Sequence, residues 1–327
     1  MNESDRGATQ APKHPTLAST QPRSKPLPER SPKPAHEDPT APGRVAAILA
    51  SPSYREADRD LDFLGWDAVR GVRLEIDYQK AELLLGQHRI EHTIVVFGST
   101  RLMEPATAAA AVRELEKSAA RAPTDAELAR QLAVARRQLA NSRYYDEARA
   151  LGRLVGRAPP LPTGGKVVVM TGGGPGIMEA ANRGACDVGA KTVGLNITLP
   201  HEQYPNPYVT PELCFSFHYF AVRKLHFLQR ARALVAFPGG FGTLDEVFET
   251  LALIQTRKMP AVPVVLVGRS YWERVFDVEF LLAEGTIDPE DHELFGYAES
   301  GEEVWDIICR WHAAAGTPHF PAPRTNR

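Results

Sequence analysis

The residues best placed to do chemistry in this chain are Pro238-Gly239-Gly240-Phe241-Gly242-Thr243-Leu244-Asp245-Glu246. The apolar run Ala233–Phe237 before them reads as a buried strand, and the amphipathic run Val247–Ile254 after them reads as a helix. A glycine-rich turn between a strand and a helix N-terminus leaves backbone N–H groups unpaired at the positive end of the helix dipole. That is an anion site, and phosphate is the anion it suits. Gly239, Gly240 and Gly242 let the backbone approach a ligand closely. Thr243 is expected to cap the helix and to offer its hydroxyl to the phosphate. Glu246 falls about one turn further on. A carboxylate there does not help to bind phosphate, so it has another task. Gly-Gly turns also occur for packing alone, and a single such loop leaves both readings open.

A second loop raises the weight of the ligand reading. Thr171-Gly172-Gly173-Gly174-Pro175-Gly176-Ile177-Met178-Glu179 follows the apolar run Lys166–Met170 and precedes a helical Ala180–Ala185. Pro175 fits a first helical turn, where its missing N–H costs nothing. A third strand end, Ile94–Phe97, finishes in Gly98-Ser99-Thr100. Three strand ends with small residues point to one crevice, where open α/β sheets bind ligands. Neither G-x-G-x-x-G nor the G-x-x-x-x-G-K-[ST] loop is matched, so a mononucleotide is expected.

Gly172–Met178 and Pro238–Glu246 resemble the paired motifs of the Lonely Guy family, cytokinin-activating phosphoribohydrolases that cleave nucleoside 5′-monophosphates. The resemblance extends to Arg223-Lys224 and covers roughly residues 92–312. It implies that Arg223 and Glu246 are a catalytic pair. It also implies at least a dimer, with the sites near the subunit contact.

The residues themselves fit a glycosidic cleavage. With phosphate on the Gly239–Thr243 turn, Glu246 reaches the ribose, where leaving of the base builds positive charge. Arg223 stands one helix and one strand earlier, and three roles are open to it: orienting Glu246, holding the phosphate, or steadying the departing base. Lys224 is either a ligand contact or a surface lysine at a helix start. Glu179 either approaches the ribose hydroxyls or complements a helix dipole. Met178 is expected to support the base, and His218 and Tyr219 either flank a purine or are structural. Gly98, Ser99, Gly172, Gly173, Gly174 and Gly176 complete the expected binding set. His201-Glu202 has proline at position 205, where a zinc helix needs its second histidine, and no metal or other cofactor is expected.

The elements that must position these residues alternate. Strands are expected at 166–171, 192–197, 212–217, 233–237 and 262–267, and helices at 175–188, 219–230, 242–256, 271–283 and 302–314. Such alternation means an α/β fold, a doubly wound parallel sheet of Rossmann-like type. Residues 106–121 and 124–156 are rich in Ala, Leu, Arg and Glu and read as a helical insertion, with a capping box at Thr124-Asp125-Ala126-Glu127. Residues 65–86 read as a helix whose stripe Val72, Ile76, Gln79 and Leu83 has Leu74, Tyr78, Ala81 and Leu85 beside it. Ile177, Ala181, Val247, Leu251 and Ile254 are expected to offer a subunit contact. The expected organisation is a disordered Pro-rich arm at 1–43, a helical extension at 44–91, the main domain at 92–316 and a tail at 317–327.

Composition excludes some partners. With 38 basic and 40 acidic side chains, the formal charge of −2 gives no bulk attraction for nucleic acid or a membrane surface. No apolar run approaches spanning length, and no leader is evident. Cys186, Cys214 and Cys309 read as free thiols in a reducing cytoplasm. Three functions remain: a nucleoside 5′-monophosphate phosphoribohydrolase acting on AMP or an N6-modified AMP; a non-catalytic nucleotide or molybdenum-cofactor carrier; and a PLP-dependent decarboxylase, for which no Schiff-base lysine is evident.

Overall fold

The computed structural model describes residues 25–26, 30–197 and 204–317. The arm expected over residues 1–43 lies mostly outside them, as do His201-Glu202 and the tail from residue 318. The chain divides into two units, Met1–Trp66 and Asp67–Arg327. The described part of the first carries the helix α1 (Ala41–Ala50) and the single turn α2 (Leu61–Leu64). Asp60 caps α2 by accepting from the Phe63 amide.

The second unit runs α3 (Arg70–Gln87), β1 (Ile90–Phe97), α4 (Pro105–Arg121), α5 (Ala126–Asn141), α6 (Arg143–Gly156), β2 (Lys166–Thr171), α7 (Ile177–Asp187), β3 (Thr192–Ile197), β4 (Cys214–Phe217), α8 (Phe220–Gln229), β5 (Ala231–Ala236), α9 (Phe241–Gln255), β6 (Val264–Val267), α10 (Arg269–Val275), α11 (Val278–Ala283), β7 (Phe295–Ala298) and α12 (Gly301–Ala314). Seven strands form one sheet in the order β4-β3-β2-β1-β5-β6-β7, and every pairing is parallel. The chain builds outward from β1 to β4, then crosses back to place β5 on the other side of β1. The order therefore reverses between β1 and β5, and a crevice opens there beyond the strand C-termini.

Strand alternation decides which helix meets which face. Ile94, Val96, Val169 and Val235 point to α6, α7 and α12, burying Tyr145, Ala148, Leu151, Ile177, Ala181, Val304 and Ile308. Val95, Phe97, Val168 and Leu234 point the other way, to Ala81 and Leu85 of α3, Phe227 of α8, Val247 and Ile254 of α9 and Trp272 of α10. With helices on both faces, the strands read as continuous apolar runs rather than alternating ones.

Several expectations need correction. The helix expected at 124–156 is broken at Ser142, whose hydroxyl donates to the Leu139 carbonyl and closes α5 before α6 begins. The N-cap of α5 is Asp125, accepting from the Glu127 and Leu128 amides, rather than Thr124. The helix expected at 271–283 is two, because Asp277 caps a new start at the Phe280 amide. The strand β7 had no counterpart in the sequence reading; its Phe-Gly-Tyr-Ala is short and interrupted by glycine. Ile177, Ala181, Val247 and Ile254 are buried inside the chain and are not offered to a partner. On α3 the Ala81 and Leu85 stripe packs on the sheet, while Val72, Ile76 and Leu83 are half exposed or more. Among the described residues no helix is long and apolar enough to cross a membrane.

Candidate active site

At the β1/β5 reversal a cleft of about 730 Å³ is lined by the ends of β1, β2 and β5 and the helices that follow them. Gly98 and Ser99 line it from β1, Gly172 and Met178 from the first glycine loop, and Gly239, Gly240, Gly242, Thr243 and Glu246 from the second. Arg223 joins them from α8.

The second loop is open to the ligand space. Gly240 is the residue before α9, and its carbonyl accepts from the Thr243 and Leu244 amides. The amides of Gly240, Phe241 and Gly242 have no acceptor among the described residues. A Cβ on Gly240 or Gly242 would meet nothing within 4 Å. Protein packing therefore does not require glycine at either position, whereas close approach of a ligand does. Thr243 is not the helix cap expected of it: it lies inside the first turn of α9, and its side chain covers Gly239. Tyr271 Oη donates to the Gly239 carbonyl and fixes the turn from α10.

The first loop is spoken for by the protein. Gly173 and Gly176 have φ of 71° and 76°, where an L side chain is strained. The Gly173 amide donates to Thr171 Oγ1 at 2.9 Å, and Asn206 donates to the carbonyls of Gly173 and Gly174. Gly176, not Pro175, is the N-cap residue of α7; Pro175 precedes the helix. Gly173, Gly174 and Gly176 do not line the cleft. Glu179 does not line it either, and its carboxylate accepts from Tyr145 Oη at 2.8 Å.

Arg223 is held from three sides. Asp77 of α3 accepts from the His218 and Tyr219 amides, satisfying the free donors before α8 and fixing its start. Arg223 Nε then donates to the Leu195 carbonyl at 2.7 Å, with its guanidinium 5.0 Å from the centre of the Phe227 ring. A Cβ on Gly172 would lie 2.7 Å from Arg223 Nη2, so glycine there makes room for the guanidinium. Burial lowers the Arg223 pKa, and the charge of Glu246 opposes this. His218 and Tyr219 do not line the cleft, and the Tyr219 hydroxyl accepts from Arg73. The aromatic residue that reaches the cleft from this segment is Phe220.

Glu246 is 3% exposed, and its Oε2 has no hydrogen-bond partner among the described residues. Burial pushes its pKa up to about 7, against the pull of Lys224 and Arg223. Lys224 itself lies off the cleft, 3.0 Å from Asp245 and 3.0 Å from Glu249 on α9. Burial alone would lower its pKa; the two carboxylates outweigh that and raise it. The arrangement thus holds a carboxyl poised near neutrality, in the same cleft as unpaired amides and a half-buried guanidinium. Arg101, Leu102, Gln138, Asn141, Ile197, Phe220 and Tyr271 also line the cleft and were not singled out from the sequence. Only Arg101 and Phe220 carried a signal, being adjacent to expected site segments. No group of three or more His, Cys, Asp or Glu side chains among the described residues is placed to hold a metal.

Residues 178–308 match a family model described as "Possible lysine decarboxylase". The chain is 26% identical over 155 residues to the probable cytokinin riboside 5′-monophosphate phosphoribohydrolase LOGL5 of Oryza sativa subsp. japonica. That match covers 46% of this chain and 61% of the relative, so the chain spans about three fifths of the relative's length. Among solved structures, the molybdenum cofactor binding protein from the phototrophic bacterium Rippkaea orientalis is 23% identical, over 50% of this chain and 85% of that one, with a TM-score of 0.35. The Moco carrier protein from Chlamydomonas reinhardtii is 18% identical, over 68% of this chain and 99% of that one, with a TM-score of 0.39. The seven-stranded parallel sheet with helices on both faces places the chain among doubly wound α/β proteins. Within that class, residues 178–308 and the segment similar to the Oryza protein are where the chain resembles known proteins.

Proposed function

We propose that the protein is a nucleoside 5′-monophosphate phosphoribohydrolase. It cleaves the N-glycosidic bond of AMP or an N6-modified AMP such as a cytokinin nucleotide, giving free base and ribose 5-phosphate. The observation that carries this reading is Glu246: a buried carboxyl with an unpartnered oxygen, lining the same cleft as the open glycine turn. A purely phosphate-binding site gains nothing from a carboxylate there, whereas a ribose developing positive charge does. The phosphate sits on the amides of Gly240, Phe241 and Gly242. Glu246 stabilises the oxocarbenium-like sugar and takes a proton from the attacking water. The water oxygen bonds to C1′ as the bond from C1′ to the base nitrogen breaks. The proton taken up by Glu246 passes, through solvent, to the departing base, leaving the carboxylate ionised again. Arg223 positions the site through its charge on Glu246. Met178, Ile197 and Phe220 supply an apolar wall for a purine. Among the described residues no lysine lines the cleft, which gives Schiff-base chemistry no support there.

The assay is base release from AMP, GMP, CMP and isopentenyl-AMP, followed by chromatography. Release of adenine or its N6-derivative is expected. Tight AMP binding without release from any of the four would favour the carrier reading. Adenosine is expected to be a far poorer substrate than AMP, because the remote phosphate fixes the ribose for attack; equal turnover of the two would remove phosphate from the turn.

A homodimer or higher even-numbered oligomer in the cytoplasm completes this reading. The exposed Val72, Ile76 and Leu83 stripe of α3 offers the apolar surface for it. Sedimentation showing a fully active monomer at micromolar concentration would defeat that assembly.

A further inference from the structure

The turn at Gly240–Thr243 supplies only neutral amides and a helix dipole worth about half a charge. A phosphate monoester carries close to two negative charges at neutral pH, so a cation must complete the site. Lys224 is engaged by Asp245 and Glu249. Arg223 is half-buried, anchored to the Leu195 carbonyl, and balances Glu246. The remaining cation of the cleft lining is Arg101, which is exposed. Its guanidinium has no carboxylate or hydrogen-bond partner among the described residues.

Arg101 follows a strand exit that is bonded to the turn. The Ser99 amide donates to the Pro238 carbonyl at 2.9 Å, so the exit of β1 is bonded to the turn itself. The Arg101 amide donates to Ser99 Oγ at 3.1 Å, which fixes the path over those two residues. Beyond it, α4 and α5 return to the cleft with Gln138 and Asn141, three residues apart on one helix face. Neither carboxamide has a side-chain hydrogen bond among the described residues. The base of this hairpin is tied down: Arg183 pairs with Glu104 just before α4 and donates to Tyr145 Oη.

We propose that Arg101 is the phosphate-recognising cation of the cleft, and that Gln138 and Asn141 close over the bound sugar phosphate from the inserted hairpin. Resting on the reading that a nucleoside 5′-monophosphate is the ligand, this gives the segment between β1 and α6 a specificity role. Arg101 discriminates phosphorylated from unphosphorylated ligands. The two carboxamides donate N–H groups to phosphate or ribose oxygens and order the mouth of the cleft. None of the three touches the bond that breaks, so their effect falls on binding.

The test measures binding apart from turnover. AMP and adenosine are titrated calorimetrically into the full-length Glu246→Gln protein, alone and combined with Arg101→Ala, Arg101→Lys or Gln138→Ala/Asn141→Ala. Ribose 5-phosphate is titrated into the same variants without the Glu246 change. Arg101→Ala is expected to weaken AMP and ribose 5-phosphate at least tenfold and to leave adenosine unchanged. Arg101→Lys recovers part of the loss, and the double carboxamide variant weakens AMP about threefold. In steady state, Arg101→Ala raises KM for AMP with kcat within about threefold. Melting temperatures check that the substitutions at exposed Arg101 and half-buried Gln138 and Asn141 leave the fold intact. AMP affinity within twofold of the parent in Arg101→Ala overturns the proposal, as does an equal loss for adenosine. A wild type that binds neither AMP nor ribose 5-phosphate overturns it too. A wild type that binds AMP through Arg101 yet releases no base removes the hydrolase reading and leaves this one standing.

Discussion

Two glycine loops with nearly the same sequence pattern follow β2 and β5, and they are built for opposite purposes. In the loop after β2, glycine answers to the protein: positive φ at Gly173 and Gly176, with backbone groups bonded to Thr171 and Asn206. In the loop after β5, glycine answers to empty space: Gly240 and Gly242 have no neighbour within 4 Å of a Cβ and present unpaired amides. The carboxylates that follow differ in the same sense. Glu179 is engaged by Tyr145, whereas Glu246 keeps a buried oxygen without a partner. A loop whose glycines are required by the protein's own backbone and packing holds a fold together; one whose glycines face open space at a cleft, beside a buried carboxyl, is prepared for a ligand.

The widest gap between the two loops is expected in turnover. Glu246→Gln loses roughly 10²-fold or more in base release with the fold intact, because its charge matters mainly in the transition state. Glu179→Gln stays within about threefold, since its partner is Tyr145 rather than the ligand. The measurement is kcat/KM for AMP in both variants. Comparable losses would erase the distinction, and activity of Glu246→Gln near wild type would remove it from the mechanism.

Stability should separate in the opposite direction. The Glu246 carboxyl titrates near 7 when folded and near 4.5 as a free group, because burial disfavours the charge. Between those values the folded chain holds a proton that the unfolded chain has released, so stability from this group falls as pH rises from about 4.5 to about 7. The cost above pH 7 is at most about 3 kcal/mol. Glu246→Gln carries no such dependence. Its melting temperature relative to wild type is expected to rise by several degrees from pH 5 to pH 8. A difference that stays flat across that range would mean Glu246 is not buried as a titrating acid.

Alanine at the glycines sharpens the contrast further. Gly176→Ala combines positive φ with a Cβ 2.9 Å from Thr100 Cα, and is expected to destabilise by about 2 kcal/mol. Gly242→Ala meets open space at a helical position and should melt within about 2 °C of wild type. Its cost appears as a rise of about tenfold in KM for AMP, as the methyl enters the phosphate space. The reverse pattern would mean that the ligand sits on the first loop.

The loops, the parallel sheet and the placement of Arg223 at the cleft were legible because they rest on local signals: apolar runs, glycine clusters and strand–helix alternation. The difference between the loops was not, since it depends on Asn206 and Tyr145 reaching in from distant segments. Pattern could not reveal that Ile177, Ala181, Val247 and Ile254 are consumed by the sheet, because a buried helix and a subunit contact share one apolar signature. Gln138 and Asn141 carry no motif, and only the fold of the α4–α5 hairpin brings them to the cleft. The break at Ser142 hides in a helix-forming stretch, because one serine hydroxyl bonded to a carbonyl is a local competition that propensity does not record.

The smallest expected effect concerns Lys224, which stands behind the second loop rather than in the cleft. Its charge is the largest influence lowering the Glu246 pKa against burial. Replacing it with methionine removes that influence and the two ion pairs to Asp245 and Glu249. The Glu246 carboxyl then holds its proton to higher pH. If the ionised form is the active one, kcat/KM for AMP at pH 7 falls about two- to threefold and recovers by pH 9. A lysine that touched the phosphate would leave a different trace, a KM defect persisting at pH 9. A pH profile of Lys224→Met beside wild type separates the two. A defect independent of pH would move Lys224 from behind the loop into the site, and the contrast between the loops would have to include a direct cationic contact beside the second one.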